Sequence, residues 1–202
     1  MFTLLSGLYK YMCQKDEYFV VILGLDNAGK TTYLEKTQTV FNKNYKGVNL
    51  NKITTTVGLN IGKIDVKSVR LNFWDLGGQE ELQSLWDKYY AECHAVIYMV
   101  DGADRGRIVE SKQTFDKMIT SSALDSVPLL VVVNKQDLEE CMSVAEVKEV
   151  FNTSAHKIGR RSCHLLGASA LNGEGIDEGI HWVVTAVEAN SQRRPPTEKE
   201  IS

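Results

Sequence analysis

Short, almost unbroken apolar runs recur at 19–23, 95–101 and 129–134, and stretches with apolar positions at helical spacing lie between them. Strands that read as continuous apolar runs are covered on both faces, so the pattern predicts a mostly parallel sheet between two helical layers. Further strands are expected at 59–66, 69–75 and 163–169. Only Lys67 and Ser68 separate 59–66 from 69–75, a connection that fits an antiparallel hairpin at one sheet edge. The expected fold class is therefore α/β: a six-stranded, mostly parallel sheet with one antiparallel edge strand and helices on both faces. Helices should begin near 29, 79, 105, 143 and 175; at the fourth, Ser143 with Glu146 three residues on reads as a capping box.

Composition narrows the organisation. The chain has 202 residues, 43% of them hydrophobic and 24% charged, enough for one well-buried core and short for two domains. We expect an N-terminal amphipathic helix over 1–17 and one domain over 18–189. A tail over 190–202, with Arg193-Arg194-Pro195-Pro196 and alternating charges, is expected to be disordered. A net charge of −3 supplies no basic field for nucleic acid. Cys13, Cys93, Cys141 and Cys163 lack metal-like spacing and read as reduced thiols of a cytosolic protein. No apolar run approaches 18 residues and no secretory signal opens the chain.

The strongest chemical signal follows the first apolar run. Gly24-Leu25-Asp26-Asn27-Ala28-Gly29-Lys30-Thr31 has the spacing G-x-x-x-x-G-K-[ST] between a strand and a helix. The glycines let the backbone curl so that its N–H groups, including those of Asp26, Asn27 and Ala28, converge on phosphate oxygens. Lys30 would reach the β and γ phosphates, Thr31 and Thr32 would open the helix at the anion, and the Thr31 hydroxyl would bind Mg2+. A glycine-rich turn without a ligand is the plain alternative; the strand before and the helix after disfavour it.

A second motif names the base. Asn134-Lys135-Gln136-Asp137 follows an apolar strand, and ligands of open α/β sheets bind at the carboxyl ends of strands. A carboxylate can accept from the N1–H and the exocyclic amine of guanine, whereas adenine offers an acceptor at N1 and no 2-amino group. Asp137 therefore selects guanine. Asn134 would bond another edge of the base and tie this loop to the phosphate loop, and the Lys135 stem would lie over the ring. Ser169-Ala170-Leu171 would add the Ala170 N–H to the guanine O6. At a third strand end, Trp74-Asp75-Leu76-Gly77-Gly78-Gln79-Glu80 would place Asp75 on Mg2+ through a water, the Gly78 N–H on the γ-phosphate and the Gln79 side chain on the attacking water. Thr56 is the candidate second hydroxyl on the metal, although three adjacent threonines, Thr54 to Thr56, leave the register open.

With these residues in place the chain resembles the Ras-superfamily small GTPases, specifically the Arf branch, over about residues 1 to 190. Gly24 to Thr32 and Trp74 to Glu80 look like Arf-type forms of the two phosphate-sensing motifs. The resemblance implies the P-loop small GTPase fold and a GTP/GDP switch in membrane traffic at the trans-Golgi network. It also implies slow GTP hydrolysis, an exchange factor, an activating protein and effectors. Effectors would read Leu59, Trp74 and Tyr89, positions that match the family's exposed hydrophobic triad, with Leu59 in place of the usual Phe; each is alternatively an ordinary core position, and for Leu59 that alternative is equal. The hairpin would shift register when GTP binds and fill a groove left by the N-terminal helix. A phosphate-loop ATPase or nucleotide kinase shares only the first motif. A GTP-binding module with negligible hydrolysis stays open, with Gln79 as counter-evidence.

Departures from the Arf pattern bear on membrane attachment. Residue 2 is Phe2 rather than Gly, which excludes myristoylation, and Glu200-Ile201-Ser202 is no prenylation box. Phe2, Leu5, Leu8, Tyr9 and Met12 form a stripe flanked by Lys10 and Lys15. The stripe packs on the protein's own core, on a membrane, or on each in turn. One short stripe binds lipid marginally, so acetylation of Met1 and an integral-membrane receptor are expected to help place a monomeric, cytosolic protein on the Golgi membrane.

Overall fold

The computed structural model describes residues 15–197. The expected N-terminal helix, its apolar stripe and Cys13 lie outside them, as does 198–202. Six strands form one sheet: β1 (Asp16–Leu23), β2 (Leu59–Val66), β3 (Val69–Leu76), β4 (Ala95–Asp101), β5 (Leu129–Asn134) and β6 (Cys163–Gly167). Their order is β2-β3-β1-β4-β5-β6, and β2–β3 is the antiparallel pair at one edge. The predicted topology holds. β1 starts three residues earlier than the apolar run because the polar Asp16 and Glu17 already pair with Val69 and Arg70. β6 stops at Gly167, since Ser169 leaves the ladder to pair with Glu174.

Alternation along the central strands builds two cores. On one face Val20, Ile22, Ile97, Met99, Leu130 and Val132 pack against α1 (Lys30–Phe41) and α7 (Ile176–Ala189). On the other, Val21, Leu23, Val96, Tyr98, Val131 and Val133 face α4 (Ile108–Ile119) and α5 (Val144–Phe151). Each of these side chains contributes roughly 1.5–3 kcal/mol by leaving water. Three short helices, α2 (Glu80–Gln83), α3 (Asp87–Tyr90) and α6 (Ala155–Ile158), lie in the connections. Ser143 and Glu146 close the predicted capping box. The helix expected near 105 starts as a single tighter turn, Arg105–Arg107, capped by Asp104.

Residues 190–197 depart from the expected disordered tail. The Arg194 guanidinium donates to the carbonyls of Tyr90 (3.3 Å), Ala91 (3.0 Å), Cys93 (3.0 Å) and Ala123. The Thr197 N–H donates to the Glu17 carbonyl at 2.9 Å, beside the part of β1 that β4 does not reach. Between these anchors His94 Nε2 donates to the Pro195 carbonyl (2.8 Å), and its Nδ1 accepts from the Phe19 N–H (3.0 Å). Composition could not reveal this, because the carbonyls that Arg194 holds lie more than 70 residues away in sequence.

Candidate functional site

The loop between β1 and α1 owes its shape to left-handed backbone at Gly24 (φ 136°), Asn27 (φ 59°) and Gly29 (φ 87°). A Cβ on Gly24 would lie 2.3 Å from the Met99 carbonyl, and one on Gly29 2.3 Å from Asn134 Nδ2. Glycine is therefore required twice over, by conformation and by close approach. Lys30 is 6% exposed and donates to the carbonyls of Gly24 (3.1 Å) and Leu25 (2.8 Å). Burial lowers its pKa to about 8, with Asp75 and Asp26 pulling the other way. Beside the loop opens a cavity of about 450 Å3 bordered by Asp26, Asn27, Gly29 to Thr32, Ile53 to Thr56, Gly78 and Lys135. That is a size suited to a small ligand.

Three of the predicted residues meet at the Thr31 hydroxyl. It donates to Asp75 Oδ2 at 2.6 Å and lies 2.7 Å from Thr56 Oγ1, which is 3.5 Å from the same carboxylate oxygen. Of the three threonines, Thr56 is the one so placed; Thr54 and Thr55 border the cavity. Asp75 is fully buried, and its Oδ1 has no hydrogen-bond partner among the described residues. Burial raises its carboxyl pKa, against the Thr31 hydroxyl, Lys30 and the nearby Asn60 and Thr56 side chains. Two hydroxyls and a carboxylate with a spare buried oxygen form an all-oxygen set, the chemistry Mg2+ takes when phosphate and water complete its shell. The residues present fit that ion.

Gly78 sits against the phosphate loop. A Cβ there would come within 2.4–2.5 Å of Gly24 O, Leu25 C and Asp26 N. The Gly77 N–H donates to the Gly58 carbonyl at 3.1 Å, joining this segment to the threonine run. Gln79 is exposed and does not border the cavity; its carbonyl accepts from the Leu82 and Gln83 N–H groups.

At the far end Asn134, 2% exposed, donates from Nδ2 to the Ala28 carbonyl (2.9 Å) and accepts at Oδ1 from the Ala170 N–H (2.9 Å). The expected tie to the phosphate loop is present. The Ala170 N–H, expected on guanine O6, is instead engaged by Asn134, because this amide uses both its ends to join three loops. Ser169 Oγ donates to Asp137 Oδ1 at 2.5 Å and accepts from the Asn172 N–H. Asp137 and Leu171 are exposed. Lys135, at φ 67°, reaches Asp101 Oδ2 at 2.6 Å.

Sequence reasoning missed Arg107 and Asp101. Arg107 donates to Asp26 Oδ1 at 2.7 Å across 81 residues and also holds Glu110. The available signal was position: a basic residue opening the helix after β4, at the ligand-binding edge of the sheet. In the hydrophobic triad, Trp74 and Tyr89 are half-buried with ring centroids 5.3 Å apart, and Phe19 stacks on Trp74 at 4.5 Å. Leu59 is 39% exposed, which removes the core alternative, and Ile61 on the same strand face is 63% exposed.

Residues 4–187 match the ADP-ribosylation factor family. The chain belongs to the Arf family. It is a small GTPase, a guanine-nucleotide-binding GTP hydrolase of the switch class. Among relatives, it is 64% identical to ADP-ribosylation factor-related protein 1 of Bos taurus and 62% identical to that of Homo sapiens. In each comparison all of both chains is covered. It is 44% identical to ADP-ribosylation factor-like protein 3 of Saccharomyces cerevisiae over 98% of this chain and all of that one. In structure it resembles the Arl6 BBS3 small GTPase of Trypanosoma brucei, described with a bound nucleotide analogue, GppNp. That comparison has a TM-score of 0.74 and 28% identity and covers 86% of this chain and 98% of that one. The predicted small GTPase fold is the observed one.

Proposed function

We propose that this Arf-family GTPase is a GTP/GDP switch in membrane traffic at the trans-Golgi network. In this reading it hydrolyses GTP slowly unless an activating protein assists. The observation that carries the switch is the meeting of Thr31, Thr56 and Asp75 beside the phosphate loop, with Gly78 packed on that loop. Thr56 and Gly78 belong to different segments, joined through Gly58 and Gly77. A ligand held by both fixes both, and its loss frees both. Bound Mg2+ would neutralise phosphate charge; Thr31, Thr56 and, through water, Asp75 would hold it. Lys30 would turn from the loop carbonyls to phosphate, and its pKa would rise as it gains an anionic partner. Asn134, Lys135 and Asp137 would bind guanine, with Ser169 orienting the Asp137 carboxylate.

Slow hydrolysis fits the position of Gln79, which must swing from solvent to reach an attacking water. An activating protein would order Gln79 and contribute positive charge. Effectors would read Leu59, Trp74 and Tyr89, and the exposed Ile61 extends that face. The Golgi address, the integral-membrane receptor and acetylation of Met1 rest on the family resemblance and on Phe2. Single-turnover hydrolysis of bound GTP, in wild type and Gln79→Leu with and without Golgi extract, tests the switch. Extract should speed only the wild type, and equal, negligible rates throughout would refute an assisted hydrolase. Undiminished Golgi localisation after an acetylation-blocking change at Phe2 would remove acetylation from the account.

A further inference from the structure

A carboxylate in a loop built to receive phosphate needs an explanation. Asp26 borders the cavity, and its N–H lies beside Gly78, the residue assigned to the third phosphate. A free Asp26 carboxylate at that end would repel a γ-phosphate far more than a β-phosphate. It is not free. Arg107 NH2 donates to Asp26 Oδ1 at 2.7 Å, and the same guanidinium is braced by Glu110, with Nε to Oε2 at 2.9 Å and NH2 to Oε1 at 3.0 Å. Asp104 caps the turn carrying Arg107 by accepting from the Arg107 N–H, so the side chain starts from a fixed backbone. The Asp26 and Arg107 side chains are 28% and 34% exposed, so water screens the pair only partly. Asp26 and Lys30 border the same cavity, so the Asp26–Arg107 pair lies on the side of the phosphate-binding amine.

We propose that Arg107 is a positioning residue that sets the preference for guanosine triphosphate over diphosphate by holding the Asp26 carboxylate away from the γ-phosphate end of the cavity. The inference rests on reading that cavity as the nucleotide site. Removing Arg107 releases a unit of negative charge where only the triphosphate meets it. Affinity for GTP falls while affinity for GDP changes little. Removing the Asp26 charge as well abolishes the effect.

The test is a double-mutant cycle on the full chain with Mg2+, using fluorescent GDP and a fluorescent non-hydrolysable GTP analogue. Arg107→Ala should raise Kd for the triphosphate relative to the diphosphate by roughly tenfold, the scale of one uncompensated charge near a partly screened anion site. Raising salt should shrink that ratio, and Arg107→Lys should restore part of it. In an Asp26→Asn background the same substitution should change the ratio by less than about twofold. If Arg107→Ala does not fold, Arg107→Gln, which keeps most of the side-chain volume, carries the test. An equal loss for both nucleotides, or a loss that persists without the Asp26 charge, overturns the inference. Failure of the wild type to bind either nucleotide would instead refute the reading of the site.

Discussion

Asn134→Ala should be among the most damaging single substitutions outside the hydrophobic core. The side chain makes two buried hydrogen bonds, to the Ala28 carbonyl and from the Ala170 N–H, and both residues are themselves 1–2% exposed. Each bond is worth about 1 kcal/mol net, and each backbone group left buried without a partner costs about 1 kcal/mol or more. The cavity opened beside Gly29 is small, so we expect a loss of about 3 kcal/mol, near the upper end for one residue. In a domain of this size that lowers Tm by roughly 6–12 °C. Thermal melts by circular dichroism at two GDP concentrations separate this loss from weaker nucleotide binding, because ligand stabilisation grows with concentration relative to Kd. Asn134→Asp keeps the acceptor for Ala170 but sets a carboxylate against the Ala28 carbonyl, so it should be at least as unstable. A loss below about 1 kcal/mol for the alanine variant, or an aspartate variant as stable as wild type, would refute the idea that this amide staples the three loops.

Gly78→Ala should weaken the GTP analogue selectively, since the added methyl would press on the Gly24 to Asp26 backbone; parallel titrations with GDP check this. The folded Lys30 pKa of about 8 lies below its ordinary 10.5. Below both values each state holds the proton, and between them only the unfolded chain does. Stability of the nucleotide-free chain should therefore rise with pH across that window. Urea titrations should show that part of the slope disappearing in Lys30→Met. Arg194→Ala removes charge-assisted bonds to four carbonyls and should cost about 2–3 kcal/mol. Limited proteolysis should then cut within 190–197, and an unchanged digest would contradict a docked strap.

Much of this was legible because local patterns carried it. The apolar runs fixed β4 and β5 to the residue, and the two-residue gap at Lys67 and Ser68 fixed the hairpin. Lys30, Thr31, Asp75 and Asn134 were found because each sits at a strand end in a motif whose spacing is set by phosphate, metal or base. The illegible parts are contacts between side chains far apart in sequence. Arg107 meets Asp26 across 81 residues, and Arg194 reaches carbonyls in two separate segments, 90–93 and Ala123. Neither leaves a periodic trace. Ala170 follows the last strand, a position that points its N–H to the base; only packing shows that Asn134 engages it.

In the proposed switch, the third phosphate is read by bringing Thr56 and Gly78 together at the phosphate loop. Amide hydrogen exchange of the full chain, loaded with Mg2+ and either GDP or a non-hydrolysable GTP analogue, tests it directly. Segments 53–58 and 76–79 should be protected together in the triphosphate state and exchange faster with GDP. Protection that is the same with both nucleotides would contradict the account.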